Sequence, residues 1–348
     1  MVLFFTAAPP SMRALCPRVF DNPEGYAAFI LFPHFSRVPP FDVFTGAYID
    51  TVILTTCKAK PATSHAAKVF EYPKRDRIVS IDMNRLPIRE VAQASWWEGA
   101  DQKFVMDVGI LTLLGRLGRS CALKLADCVE MKRGVLFNRS MLTRKKTEEQ
   151  AHRYFEGDVY RYSVNFKAPR WVEYGPKMRE YPKDFRWFKG ERILLRRLVS
   201  RKRRLMASLI DKTVITNKNL YALITKPGFS TKYVLAIVNS RLLSRLYLAQ
   251  VSQATKDDFP QVTIRDILAL PAPGPPHTST QAKVSLDHLV SLVDSMLSLH
   301  GGFGASRSTA QRESIQRQID ATDAEIDRLV YELYGLTEKE IGIVEGEQ

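Results

Sequence analysis

The 348-residue chain is 45% hydrophobic and 25% charged, a balance typical of folded globular proteins that excludes a disordered basic tail and leaves length for two or three domains. Its formal net charge is +14, but the excess is local: residues 133–245 hold 27 Lys and Arg against 9 Asp and Glu, net +18, so the remainder sums to −4. A field of that sign and breadth suits a polyanion, because neutralising phosphates releases condensed counterions.

In chain order, the apolar opening 1–8 has no basic flank and stops at Pro9, Pro10 and Arg13, which argues against a signal peptide or membrane anchor. After Pro-rich turns, Tyr48-Ile49-Asp50-Thr51-Val52-Ile53-Leu54-Thr55-Thr56 reads as a strand, and with 41–47 before it as a hairpin edge of a larger sheet. Residues 59–100 are polar and weakly periodic, with Trp96-Trp97 expected to dock on the next unit. The spacing of Phe104, Val105, Val108, Leu111, Leu114 and Leu117 predicts a helix over 102–117 that Gly118 closes. Residues 122–137 read as a strand entering a turn at Lys132-Arg133-Gly134-Val135, followed by short apolar runs at 193–195, 214–216 and 220–224. Residues 232–250 read as one helix. Pro271-Ala272-Pro273-Gly274-Pro275-Pro276 reads as a stiff linker. Beyond it, helices over 284–299 and 310–333, separated by a Gly- and Ser-rich loop, predict an antiparallel hairpin. In the second, Ile315, Ile319, Thr322, Ile326, Leu329 and Leu333 follow a four-then-three seam.

Catalytic constellations are sparse. Six histidines are far apart, and Cys16, Cys57, Cys121 and Cys128 form no Cys-x-x-Cys pair, so a reducing cytoplasm without structural zinc is expected. Gly301-Gly302-Phe303-Gly304 follows no strand and reads as a flexible loop rather than a phosphate cradle. Asp320, Asp323 and Asp327 read as a solvated helix face rather than a metal site. The basic runs Arg196-Arg197 and Arg201-Lys202-Arg203-Arg204 belong to an excess that persists over more than a hundred residues, which favours nucleic acid over a merely solvated face. Rings such as Trp171, Tyr174 and Trp187 read individually as core.

Several segments, in order, resemble the C-terminal specificity region of TaqI-type adenine DNA methyltransferases and single-chain restriction-modification enzymes. They are Met131-Lys132-Arg133-Gly134-Val135, Phe155-Glu156-Gly157-Asp158-Val159-Tyr160-Arg161-Tyr162, Lys189-Gly190-Glu191-Arg192-Ile193-Leu194-Leu195-Arg196, Thr216-Asn217-Lys218-Asn219-Leu220 and Leu235-Ala236-Ile237-Val238-Asn239-Ser240-Arg241-Leu242. Phe259-Pro260-Gln261-Val262-Thr263-Ile264 looks like the exit of that region, and Glu325-Ile326-Asp327-Arg328-Leu329-Val330-Tyr331-Glu332-Leu333-Tyr334-Gly335 is similar to the family's terminal helix. Upstream, Phe44-Thr45-Gly46-Ala47-Tyr48-Ile49-Asp50 looks like the last strands of its methyltransferase domain. The family's Asn-Pro-Pro-aromatic tetrad is matched only by Asn22-Pro23-Glu24-Gly25, and its S-adenosylmethionine loop is not found.

The resemblance implies an α+β fold: a mixed α/β DNA target-recognition domain with an N-terminal sheet remnant and a C-terminal antiparallel helical hairpin. The expected divisions are a catalytic-domain remnant at 1–60, a connector at 61–100, the recognition domain at 101–270, a linker at 271–283 and the hairpin at 284–348. The expected partner is double-stranded DNA, with a separate methyltransferase or restriction polypeptide supplying catalysis and no membrane. No cofactor is expected on this chain alone, S-adenosylmethionine being that of the parent family. Arg196, Arg197, Arg201, Lys202, Arg203 and Arg204 are the candidates for phosphate, and Arg133, Asn138, Arg139 and Lys218 for base or groove contact. The alternatives are half of a split or atypical adenine methyltransferase active with a partner, and an interaction protein like a specificity subunit. For the latter, if the hairpin recruits a partner, deleting 284–348 is expected to abolish complex formation while leaving DNA binding intact.

Overall fold

The computed structural model describes residues 2–5, 25–32, 51–58, 62, 64–71, 88–92, 108–146, 151–200, 202–250, 261–274, 280–306 and 308–346. They divide into two compact units, Met1–Leu111 and Thr112–Gln348.

In the first unit β1 (Val2–Phe5), β2 (Gly25–Phe32), β3 (Thr51–Lys58), β4 (Ala66–Glu71) and β5 (Ile88–Ala92) form one sheet in the order β1-β3-β2-β4-β5, with only β2 and β4 parallel. The strand read at 48–56 is β3. Segment 61–100 is more than a connector, since β4 and β5 extend the same sheet and bury the opposed pair Ala67 and Val91. The runs 41–47 and Trp96-Trp97 lie outside the described residues.

The second unit is entered along α1 (Val108–Ser120), β6 (Leu123–Lys124), the single turn α2 (Leu125–Cys128) and β7 (Val129–Arg133). The α1 helix runs through Gly118, where a Cβ would meet open space, so glycine closes nothing there. The strand read at 122–137 is interrupted by α2. Two hairpin-like pairs follow from β8 (Ala151–Tyr154), β9 (Gly157–Tyr160), β10 (Ser163–Phe166) and β11 (Arg170–Glu173), with β9 on β10 and β8 on β11. Strands β12 (Arg192–Arg196), β13 (Ala207–Ile210) and β14 (Leu220–Thr225) join β7 in an antiparallel sheet ordered β13-β12-β14-β7.

Central β12 has no polar alternation because both faces are covered: Ile193, Leu194 and Leu195 are all buried. Leu194 and Ala222 face a cluster containing Phe155, Val172, Trp187 and Phe188. Helices α3 (Thr231–Asn239) and α4 (Arg241–Gln250) follow, and α3 packs against β12, β13 and β14. The helix read at 232–250 is thus two helices. Ser240 breaks it, its Oγ accepting the Leu243 N–H at 3.1 Å, while buried Asn239 holds Ala207 through both amide atoms.

After α5 (Ile264–Leu268), β15 (Pro271–Ala272) pairs with β6, so the start of the expected linker is buried sheet. Helices α6 (Thr280–Ala305) and α7 (Thr309–Leu333) pack on each other as the expected hairpin. Gly301, Gly302 and Gly304 are helical rather than a loop, and α8 (Glu338–Glu345) adds a further turn of packing. Among the described residues no helix is long and apolar enough to cross a membrane.

Candidate nucleic-acid interface

Folding sorts the basic segment into two sides. On one, arginines are consumed by the acidic helices: Arg161 grips Asp323 through both terminal nitrogens, Arg204 and Arg241 converge on Asp327, and Arg241 also pairs with Glu345. The aspartates read as a solvated face are therefore mostly internal; Asp327 is 4% exposed, and only Asp320 faces solvent. Burial pushes the Asp327 carboxyl up and the Arg204 guanidinium down, Arg161 adding to the latter by repulsion. Arg192 is also buried, donating to the carbonyls of Gly190, Lys212 and Val214, and burial lowers it to about 10.

On the other side a cleft of about 380 Å³ opens between three connections, 134–142, 154–157 and 217–219. Two parallel bridges, Val135 to Asn217 and Tyr154 to Ile215, bring these segments together. The approach is so close that a Cβ on Gly134 would lie 2.3 Å from the carbonyl oxygens of Thr216 and Asn217. Its floor is apolar (Val135, Phe137, Leu142, Phe155), whereas Arg139, Glu156, Lys167, Asn217, Lys218 and Asn219 supply the polar rim. Phe137 meets Tyr154 edge-on at 5.3 Å, and burial raises the Tyr154 phenol against the pull of an Asn217 hydrogen bond.

The structure brings Arg139 and Lys218 together at this cleft. Arg139 is 83% exposed and donates from Nη2 to Glu156 Oε1 at 2.7 Å, while Arg170 Nε reaches Glu156 Oε2 at 3.3 Å. Lys218 is exposed on a turn in which Asn217 Oδ1 accepts the Asn219 N–H at 2.8 Å. Asn138 is exposed but its oxygen caps the following turn by accepting the Ser140 N–H at 3.2 Å. Arg133 is half-exposed and paired with Glu180. Among the phosphate candidates, Lys202 and Arg203 are exposed, Arg196 and Arg197 are half-buried, and Arg197 Nη2 donates to Gln261 Oε1 at 2.6 Å. Arg204 leaves the exposed set because its guanidinium turns inward to Asp327; Arg201 lies outside the described residues. Glu156, Lys167, Asn217 and Asn219 were not singled out from sequence. The Asn217-Lys218-Asn219 turn carried a signal, two amides flanking a lysine, whereas Glu156 and Lys167 carried none.

Residues 152–272 match the family model described as TaqI-like C-terminal specificity domain. Over 240 residues the chain is 30% identical to RM.MjaORFECS2P of Methanocaldococcus jannaschii, whose name describes a type II restriction enzyme and methyltransferase. The match takes in 67% of this chain and 20% of that protein, so the chain spans about a fifth of that relative. Among solved structures, the type IIL restriction-modification enzyme MmeI in complex with DNA shares the fold at a TM-score of 0.54 and 9% identity, over 92% of this chain and 45% of that one. The type IIG restriction endonuclease BpuSI aligns over 95% of this chain and 45% of its own at a TM-score of 0.40 and 12% identity. The strands from β8 to β15 thus coincide with the segment that matches the TaqI-like C-terminal specificity domain, in a chain similar to a restriction enzyme and methyltransferase.

Proposed function

We propose that this chain binds duplex DNA as the target-recognition part of an adenine-specific restriction-modification enzyme. One observation carries the reading: folding pairs Arg161 and Arg204 with acids of the C-terminal helices and leaves a separate cleft whose polar lining is three cations and two amides against one carboxylate. Those are the groups that hold phosphates and read base edges. Exposed Lys132, Lys167, Lys202, Arg203 and Lys218 set the position on the backbone. Binding is expected to weaken steeply with salt, with a log–log slope of about −0.9 per phosphate neutralised. Anisotropy titrations of the full chain with random duplex at several ionic strengths test this; a dissociation constant independent of salt overturns it.

Methyl transfer belongs, on this reading, to a methyltransferase domain outside the residues of this chain. The support is the departure from the aromatic tetrad at Asn22-Pro23-Glu24-Gly25 and the cationic rim of the cleft, which repels a sulfonium. The cleft therefore does not fit S-adenosylmethionine. Transfer of label from that donor to DNA by the purified chain alone overturns this part of the proposal. Transfer that needs an added methyltransferase polypeptide supports the split-enzyme form of it.

A further inference from the structure

We infer that the pair Arg139–Glu156 forms a built base-reading site, in which Glu156 aims Arg139 at the major-groove edge of a guanine. This rests on the reading of the chain as a DNA-recognition module and adds which side chain specifies and what it reads.

Three features of Arg139 carry the inference. It stands at the rim of the cleft, at the start of a single helical turn (Arg139–Met141) that Asn138 caps, so its backbone is fixed by its neighbours. Its guanidinium is directed as well, because Glu156 accepts one N–H of Nη2. Glu156 is in turn held by Arg170 and by its own carbonyl, which accepts the Lys167 N–H at 2.7 Å. The third feature is the cost of the arrangement. An ion pair this exposed contributes little to stability, and a carboxylate on a phosphate-binding face weakens attraction to the backbone.

A carboxylate placed there is thus explained by direction rather than by affinity. One of the five guanidinium donors is consumed, and four remain on a planar fork that is 83% exposed at the cleft. Guanine alone offers two acceptors, O6 and N7, spaced for such a fork, whereas adenine pairs one acceptor with a donor that an arginine cannot satisfy. A phosphate would be seated better without the carboxylate, which shares the cleft with Arg139 and Lys218.

The test is selection from a random duplex pool by the full chain, followed by competition with duplexes substituted at each selected position. The wild-type chain is expected to select a site containing an obligatory guanine. R139A and R139K are each expected to lose about ten- to a hundredfold of discrimination at that one position. E156Q is expected to flatten the same position while binding random duplex at least as tightly as the wild type. If R139A weakens all duplexes alike and E156Q leaves every preference intact, Arg139 is a phosphate contact and the inference fails, with salt-dependent DNA binding still standing. A wild-type chain that binds DNA but selects no sequence overturns both this inference and the recognition role.

Discussion

The Asp327 carboxylate and the Arg204 guanidinium meet at 3.5 Å in the interior, although 123 residues separate them in sequence. The other carboxylate oxygen accepts the backbone N–H of Arg241 at 2.7 Å, so one acid on α7 secures both the strand-to-strand turn before β13 and the start of α4. Removing one partner of a buried pair leaves the other charge uncompensated, which costs about 3–5 kcal/mol. D327A is expected to lower the unfolding free energy read from urea melts by that amount, and R204M/D327L to restore the part owed to the stranded Arg204 charge, while the Arg241 N–H still lacks its acceptor. A D327A chain as stable as the wild type would show that the hairpin is not held through this contact. The same contact bears on a chain truncated before 284: Arg161, Arg204 and Arg241 would lose their acids, so such a chain is expected to lose DNA binding through unfolding.

Acid titration should separate two carboxylates of opposite sign. Burial pushes Glu340 up, but the backbone N–H of Thr337 and the Arg116 guanidinium bring it below the ordinary value of 4.5. A carboxyl lowered in the folded state contributes stability above its unfolded value, and that contribution is lost as pH falls through the folded one. Asp327 is raised, so its stabilising influence instead declines as pH climbs from the ordinary 3.8 through its folded value. E340Q keeps an amide oxygen that can accept the Thr337 N–H but loses the charge opposite Arg116, so it is expected to be less stable than wild type at neutral pH by up to about 1 kcal/mol. The difference should close as pH drops below 4.5. Melts that stay parallel across that range would rule the Glu340 interaction out as a source of acid sensitivity.

Gly134 is required by the cleft rather than by a turn. Any side chain there drives into the carbonyls of Thr216 and Asn217 at 2.3 Å, and backbone cannot step aside as a flexible side chain can. G134A is expected to cost about 1–3 kcal/mol as an overpacked contact. By displacing Asn217 and Lys218 it should also weaken duplex binding beyond the stability loss, when measured at a temperature where the variant is fully folded. Unchanged affinity in a folded G134A chain would disconnect the cleft from DNA.

What the sequence revealed and concealed has a common physical basis. Elements set by local periodicity were legible: the four-then-three seam of α7, the β-branched run of β3 and the apolar triplet of β12. Features set by distant partners were not. A carboxylate such as Asp323 or Asp327 looks the same facing water or a buried arginine, and its partners lie 162 and 123 residues away. Glycines 301, 302 and 304 looked like a loop, but packing between α6 and α7 overrides their propensity. The break at Ser240 carried no Gly or Pro to announce it. The cleft arises from two isolated bridges, Val135 to Asn217 and Tyr154 to Ile215, between segments far apart in sequence, which no local pattern encodes.

Arg203 offers a separation of stability from binding. It is exposed, yet its φ of 56° lies in the left-handed region, where a side chain crowds the following carbonyl at a cost of about 1–2 kcal/mol. The tight turn it closes is held by Arg203 N–H donating to the Ser200 carbonyl at 2.8 Å and Arg204 N–H to Ser200 Oγ at 2.9 Å, so the conformation is imposed by the fold. Glycine removes the crowding but adds freedom to the unfolded chain worth roughly 0.5–1 kcal/mol. The net effect of R203G is therefore expected to lie between neutral and a gain of about 1 kcal/mol. If Arg203 contacts phosphate, the same change should weaken random and selected duplexes equally and reduce the magnitude of the salt slope by about 1. Thermal melts and salt titrations of one protein preparation read both quantities. An R203G chain that is as stable as wild type and binds with an unaltered slope would remove this turn from the DNA-binding face.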